Sequence, residues 1–183
     1  MFKLIQQRFS TSEKEFVVFP QVPSASGFVA KSYIDALVVG LWEAHGRIRM
    51  AMEIKVRRSD FLQEIKNPEK NLPWRDGSLA HEFYYVTPRG VIESPDGVPE
   101  GCGWYQTNPK GDGLIRRKKA FHHDSVTTPD GFFETLCLAF IRAEEKDREE
   151  YRRSFREADP EVQRLMNMEQ SMKDILVSRD GRG

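Results

Sequence analysis

Three residues in two neighbouring segments have the types needed to hydrolyse a phosphodiester bond. Asp35 interrupts the apolar run YIDALVVGL, and Glu53 and Lys55 stand two positions apart in the following run, RMAMEIKV. Carboxylate oxygens suit Mg²⁺ or Mn²⁺, which activates water and offsets charge on a phosphate, while a nearby ammonium assists. These residue types predict a metal-dependent hydrolytic centre, provided that the chain brings them together.

The two segments have the patterns of β-strands that could do so. YIDALVVGL is typical of a strand buried on both faces, where an isolated carboxylate is costly to keep ionised, so we expect a compensating group near Asp35. In the second run apolar and charged residues alternate, and Glu53 and Lys55, about 7 Å apart along the strand, project to one side. If these strands pair, Asp35 and Glu53 can share a divalent cation with Lys55 in the same pocket.

A simpler interpretation of the same residues stays open at this point. Glu-x-Lys is a common tripeptide, expected about once by chance in a chain of this composition. A Glu and Lys pair on a strand is more often an exposed ion pair, and a lone strand Asp is more often an edge or turn residue. The residue pattern by itself therefore favours a solvated ion pair over a catalytic site, and both interpretations stay open.

The order of predicted elements indicates a mixed α/β fold. Short runs with strand character occupy residues 16–22, residues 33–41, RMAMEIKV, EFYYVTP, GWYQTN and GLIRRKK. A helix of two or three turns is predicted at FLQEIKN, with Ser59 and Asp60 as capping residues and Pro68 at its end. Strands interspersed with helices are typical of the α/β class.

The C-terminal part is predicted to be helical. Pro129 begins a helix whose apolar stripe ends near Ile141, and residues 142–157 are almost wholly charged, which indicates a solvated helix. Pro160 begins a further helix. We expect a core over residues 1–128, C-terminal helices over residues 129–177 and a flexible tail over residues 178–183.

Composition excludes some classes of protein. Basic and acidic residues number 28 each, so a net basic charge does not point to nucleic acid. No apolar run approaches the roughly 20 residues that cross a bilayer, and the N-terminus lacks the pattern of an export signal. Cys102 and Cys137 have no Cys or His at metal-ligand spacing, so we expect reduced thiols and a cytoplasmic location.

Four segments together carry a family resemblance. They are IDALVVGLW, MEIKVRRSDFLQEIKNPEK, EFYYVTPRGVI and VPEGCGW. They resemble the small PD-(D/E)XK, or restriction-endonuclease-like, proteins of phages and bacteria, and a branch associated with bacterial DNA repair. The resemblance implies a mixed central sheet flanked by helices, with a C-terminal helical extension outside it. It also implies a Mg²⁺- or Mn²⁺-dependent nuclease acting on DNA in replication, recombination or repair.

The resemblance assigns roles by matching position. Asp35 and Glu53 would be metal ligands, the backbone carbonyl of Ile54 a further ligand, and Lys55 the residue that orients or activates the attacking water. Basic and polar residues near the next helix and in GLIRRKK could contact phosphates without reading bases, although a solvated strand explains the second group equally well. The candidate nucleic-acid contacts are Arg57, Arg58, Ser59, Lys66, Arg116, Arg117 and Lys118.

Two departures from the family pattern keep a second interpretation open. The superfamily usually supplies another acid from an early element, and Gln21 occupies the place where we would look for it. Cys102 replaces a family Trp, which follows instead as Trp104. A non-catalytic nucleic-acid-binding or accessory protein that kept the fold is the alternative to a nuclease. For a nuclease, a homodimer would be the simplest route to double-strand cutting.

Overall fold

The computed structural model describes residues 1–9, 15–25, 32–42, 47–128 and 130–158, with backbone alone at 151, 152 and 154–158. These residues form a six-stranded mixed sheet and four helices, which confirms the predicted α/β class and every predicted strand. The strands are β1 (Phe16–Pro23), β2 (Tyr33–Gly40), β3 (Arg49–Ile54), β4 (Glu82–Thr87), β5 (Gly103–Thr107) and β6 (Leu114–Lys118). The helices are α1 (Phe2–Phe9), α2 (Arg58–Lys66), α3 (Leu72–Arg75) and α4 (Phe132–Ala158).

The six strands lie in the sheet in the order of the sequence. β1, β2 and β3 form an antiparallel meander, β4 and β5 continue the sheet in parallel with β3, and β6 returns antiparallel to β5. A parallel neighbour cannot be reached by a tight turn, so the chain needs a long crossover between β3 and β4. Helices α2 and α3, joined by a 3₁₀ turn at Pro68–Asn71, make that crossover.

Both faces of the sheet are covered by helices. On the first face, here the α1 face, Ile5 and Phe9 of α1 pack with side chains of the central strands, such as Val38, Met52 and Tyr84. On the second face, here the α2 face, the sheet packs against Phe61 of α2, Trp74 of α3, and Phe132 and Ala139 of α4. Apolar burial on two sides explains why the central strands are rich in apolar residues.

The alternation in β3 therefore separates two buried faces. Met50 and Met52 belong to the core of the α1 face, whereas Ala51 belongs to the core of the α2 face. Glu53 is on the same side as Ala51, since side chains two apart on a strand share a face. Glu53, on the charged side of this strand, is only 3% exposed, so it lies beneath helices and not in solvent.

Two details of the α2 prediction were wrong. The helix begins at Arg58, with Arg57 at the N-cap and no side-chain cap, so Ser59 and Asp60 do not cap it. The Ser59 hydroxyl instead donates a hydrogen bond to Asp60 at 3.2 Å. Asp60 remains in the first turn, where the helix dipole favours a negative charge.

The predicted C-terminal helix is one continuous element. α4 spans Phe132–Ala158 and includes the charged segment, in which Arg148 and Glu144 form an ion pair at 3.7 Å. The chain divides into two compact units, Met1–Phe140 and Ile141–Gly183. The helix predicted from Pro160 and the predicted tail at 178–183 lie outside the described residues. Cys102 and Cys137 are both free thiols, the first buried and the second exposed.

Among the described residues, no helix combines the length and the apolar composition needed to cross a lipid bilayer.

Gly103 on β5 packs closely against the ring of Tyr84 on the α1 face. A Cβ added there would overlap the ring of Tyr84 and approach the backbone nitrogen of Ala120 to 2.8 Å. We expect Gly103→Ala to lower the free energy of unfolding by about 1–3 kcal/mol, as overpacking does. Gly97→Ala is the matched control, because its Cβ would meet Ile92 at 3.8 Å, an ordinary contact. Urea denaturation of both variants tests this, and equal losses would contradict it.

Candidate active site

Asp35 lies where β2 and β3 separate. Their ladder ends with the pair Ala36 and Met52, although β3 continues to Ile54. The Asp35 carboxylate, through Oδ2, accepts a hydrogen bond from the backbone N–H of Ile54 at 2.7 Å. The side chain thus satisfies a backbone donor that the ladder leaves unpaired, and this contact is the compensation that the sequence predicts for a carboxylate within a buried strand.

The ladder on the other side of Asp35 is also irregular. β1 pairs with β2 up to Pro20 and again from Val22, and it skips Gln21, which lies opposite Asp35. Gln21 is exposed and has a φ of 47°, a left-handed conformation that is uncommon outside glycine. Such irregularities in a sheet re-aim side chains and concentrate near functional sites. Gln21, predicted as the departure from the family's acid, is therefore next to Asp35 but supplies no carboxylate.

Glu53 lies on the same side of the sheet as Asp35. The antiparallel register that pairs Ala36 with Met52 brings Asp35 opposite Glu53, and directly opposite residues share a face. The negative charge of Asp35 is close enough to raise the pKa of the Glu53 carboxyl. The condition set by the sequence, that both carboxylates project to one side of two neighbouring strands, is met.

Lys55, directly after β3, is held between two carboxylates. Its Nζ lies 2.6 Å from Oε1 of Glu53 and 2.5 Å from Oε2 of Glu64 on α2. Lys55 is 9% exposed and Glu53 is 3% exposed. The pair is therefore not the exposed surface ion pair that the sequence alone could not exclude.

Glu64 was missed by the sequence analysis. The spacing of Phe61, Leu62 and Ile65 in the sequence predicts an apolar side of this helix, yet Leu62 is 38% exposed, whereas Phe61 and Glu64 are the buried residues of α2. The signal was present in the spacing, because a residue three positions after Phe61 lies on the same side of a helix. A glutamate on the inward side of a helix over a charged strand indicates a buried charge network.

Two residues of the following turn complete the cluster. The Asn71 side-chain amide donates a hydrogen bond to Oε1 of Glu64 at 3.1 Å. Lys70 Nζ lies 3.8 Å from Oε1 of Glu53 and 3.6 Å from Oε2 of Glu64. Lys70 differs from Lys55 in exposure, since 56% of its side chain is accessible.

Negative charge is in excess at the centre of this site. Burial, followed by the charges of Asp35 and Glu64, raises the pKa of Glu53 to about 7, and the contact with Lys55 only partly opposes this. Burial would lower the pKa of Lys55, but hydrogen bonds to Glu53 and Glu64 outweigh it and the pKa is raised. The ammonium of Lys55 therefore stays charged, and a further positive charge at this site would be electrostatically favourable.

The oxygen donors that could hold a hard divalent cation here are two carboxylates and one backbone carbonyl. Oε2 of Glu53 is buried and has no hydrogen-bond partner among the described residues. Ile54 directs its N–H towards β2, and the N–H and C=O of a strand residue point to the same neighbour, so its carbonyl lies on that side too. The described part of the chain contains no group of three or more acidic, His or Cys side chains arranged around one point. Mg²⁺ commonly takes only one or two carboxylates and keeps several waters.

Four of the predicted nucleic-acid contacts flank the site at α2. Arg57, Arg58, Ser59 and Lys66 are all exposed. Arg58 is partly engaged, since its Nη1 donates to the backbone oxygen of Val91 at 3.2 Å. It also pairs with Glu93 at 3.3 Å. The role of these residues in phosphate contact stays a prediction.

The predicted nucleic-acid contacts on β6 do not form one surface with those at α2. Arg116 lies opposite Tyr105, a residue of the α1-face core, so it is on the reverse side of the sheet from Glu53. Lys118 donates from Nζ to the backbone oxygens of Val98 at 2.9 Å and Pro99 at 3.4 Å. Arg117 is exposed near the irregular pairing of β5 and β6. The basic run in the sequence is therefore divided by strand alternation.

No protein-family profile and no curated protein matches the chain. A solved structure of a protein of unknown function from Silicibacter pomeroyi is similar, with a TM-score of 0.45 and 18% identity. The alignment covers 81% of this chain and 84% of the other.

The raised pKa of Glu53 predicts a pH dependence of stability. The folded protein binds more protons than the unfolded chain between the ordinary value of 4.5 and about 7, so the free energy of unfolding falls as pH rises through that window. In Glu53→Gln the side chain at this position cannot ionise. Over the same pH window, we expect the free energy of unfolding of this variant to fall by about 1–3 kcal/mol less than that of the wild type. Urea denaturation at several pH values measures this. A parallel fall in the two proteins would contradict the raised pKa.

Proposed function

We propose that this chain is a restriction-endonuclease-like, Mg²⁺- or Mn²⁺-dependent nuclease that hydrolyses phosphodiester bonds of DNA. One observation carries the proposal. Asp35 and Glu53 lie opposite each other on one face of two adjacent strands, and the buried Lys55 contacts both the buried Glu53 and Glu64 of α2. A buried and strongly perturbed charge cluster with a sheet irregularity beside it is typical of a catalytic site.

The local fold supports the family resemblance. The strand with Asp35 neighbours the strand with Glu53, and the chain then passes through α2 to β4, which lies parallel to β3. β4 ends at Thr87, directly before Pro88, as the strand of the resembling family ends at a proline. These features agree with the order of motifs that the resemblance implies, which is why we favour it over an unrelated α/β fold.

In the proposed reaction, Asp35, Glu53 and the Ile54 carbonyl would hold the cation. When bound, the cation would polarise the phosphate and lower the pKa of a water molecule. Lys55 orients the attacking water through its ammonium, which its two carboxylate partners keep charged. The apolar residues packed around the α2 face exclude bulk water from behind the cluster.

Glu64 keeps Lys55 in position during this reaction. Both Lys55 and a cation compete for the oxygens of Glu53, so Lys55 needs a second anchor that the cation leaves in place. Glu64 supplies it at 2.5 Å, and Asn71 in turn fixes the other oxygen of Glu64. Glu64 is a positioning residue in this scheme.

The proposed function predicts a metal-dependent nuclease activity. With Mg²⁺ or Mn²⁺, the protein should cleave linear, circular or single-stranded DNA, and Asp35→Asn and Lys55→Met should each lose about 100-fold or more of that activity. Gel electrophoresis of the three substrates over time measures it. Asp96→Asn and Lys3→Met are matched controls, because both residues are exposed and lie outside the cluster.

Equal cleavage by the wild type, Asp35→Asn and Lys55→Met would contradict the proposal. Metal-independent DNA binding without any cleavage would favour the non-catalytic alternative instead.

The second prediction concerns Glu64. We expect Glu64→Gln to lower kcat by about 10- to 100-fold, as loss of a supporting contact does, while KM for DNA changes little. The pH–rate profile should also change, because Lys55 loses one of the two carboxylates that raise its pKa. Glu69→Gln, an exposed glutamate of the next turn, is the control. Unchanged turnover in Glu64→Gln would show that Lys55 does not depend on it.

A further inference from the structure

We infer that Lys70 is a second, movable ammonium of this site, which balances the carboxylates in the metal-free protein and contacts a substrate phosphate once a cation is bound. The inference rests on the proposed function and adds a residue for which the sequence analysis and the family resemblance suggest no role.

Two lysines share one pair of oxygens. Lys55 Nζ lies 2.6 Å from Glu53 Oε1 and 2.5 Å from Glu64 Oε2, and Lys70 Nζ lies 3.8 Å and 3.6 Å from the same two atoms. The distances from Lys70 exceed those of a hydrogen bond, so its attraction is ionic without a directed bond. Lys55 is therefore the fixed partner and Lys70 the loosely held one.

The two lysines, Lys55 and Lys70, also differ in their exposure to solvent. The side chain of Lys55 is 11% exposed, whereas that of Lys70 is 56% exposed. Lys70 lies in the 3₁₀ turn Pro68–Asn71, at the margin of the buried cluster. A lysine ammonium on a flexible four-carbon stem can leave such a position at small cost, because water solvates it readily.

A cation at Glu53 would repel both ammonium groups. Lys55 is retained by its close ion pair, at 2.5 Å, with the buried Glu64, whose other oxygen is held by Asn71. The two ion pairs of Lys70 are longer, at 3.6 and 3.8 Å, so Lys70 is displaced towards solvent. A displaced ammonium beside a site for phosphodiester hydrolysis is suited to a phosphate oxygen, which lysine binds as a point charge without reading the base.

The first experiment measures binding of Mn²⁺ alone by titration calorimetry. Lys70→Gln removes a competing positive charge, so we expect Mn²⁺ to bind about two- to fivefold more tightly, the range expected for a half-exposed ion pair. Lys3→Gln, an exposed lysine of α1, should match the wild type. Glu53→Gln should bind Mn²⁺ far more weakly, which identifies the site being titrated.

The second experiment measures affinity for a fluorescent, phosphorothioate-linked duplex, which resists hydrolysis, over a range of salt concentrations. With Mn²⁺, Lys70→Gln should reduce the slope of log K against log salt by about one, the loss of one phosphate contact. Without Mn²⁺ the slope should equal that of the wild type, because Lys70 is then occupied by the carboxylates.

The outcomes separate the inference from the proposed function. If the wild type binds Mn²⁺ through Glu53 but Lys70→Gln binds it no more tightly, the inference is overturned and the proposed function stands. An identical salt slope of Lys70→Gln and wild type in Mn²⁺ overturns the phosphate contact in the same way. If the wild type binds no Mn²⁺, both are overturned. Lys70→Arg, which keeps the charge, should restore the salt slope.

Discussion

The ammonium of Lys55 between Glu53 and Glu64 is the interaction on which this site depends. It joins the end of β3 to the inward side of α2 through two buried ion pairs. Burying three charges costs several kcal/mol per ion, and an apolar set of similar volume is often as stable or more stable. Stability alone therefore gives no reason for this cluster, whereas the proposed reaction, which needs charged groups away from water, would give one.

The sheet is irregular where the site requires it. Asp35 is not paired with a residue of β1. Its carboxylate accepts the hydrogen bond of the Ile54 N–H in place of a backbone carbonyl. The strain at Gln21 and the separation of β2 from β3 are tolerated because the neighbouring residues, including Ile34 and Leu37, are fully buried. Apolar packing on two faces supplies the stability that the local irregularity removes.

The crossover determines which side of the sheet carries the chemistry. A parallel β4 forces the chain to return over the sheet, and α2, the turn at Pro68–Asn71 and α3 all lie in that return. Glu64, Lys70 and Asn71 reach Glu53 from this one segment. The β6 cations, by contrast, lie three strands away from β3, so a basic run in the sequence does not amount to one binding surface.

The sequence by itself predicted the six strands and helices α2 and α4 and selected the central trio, but it did not predict helices α1 and α3. Alternation in β3, the apolar run of β2 and the resemblance at MEIKVRRSDF were enough to predict the strands and to select Asp35, Glu53 and Lys55, because these signals are local. Local pattern could not determine which side of a helix or strand would be buried. The apolar spacing of the helix includes Leu62 and omits Glu64, yet Leu62 is exposed and Glu64 is buried.

Only the tertiary structure decided that Glu64 is buried and Leu62 exposed, because this depends on the charge of the strand beneath α2 and not on the helix sequence. It also decided that the Glu and Lys pair is buried, that Gln21 faces Asp35, and that Lys70 joins the cluster. Each of these contacts connects residues that are distant in sequence or lie on different elements. Their free energies depend on burial and distance, which a linear pattern does not contain.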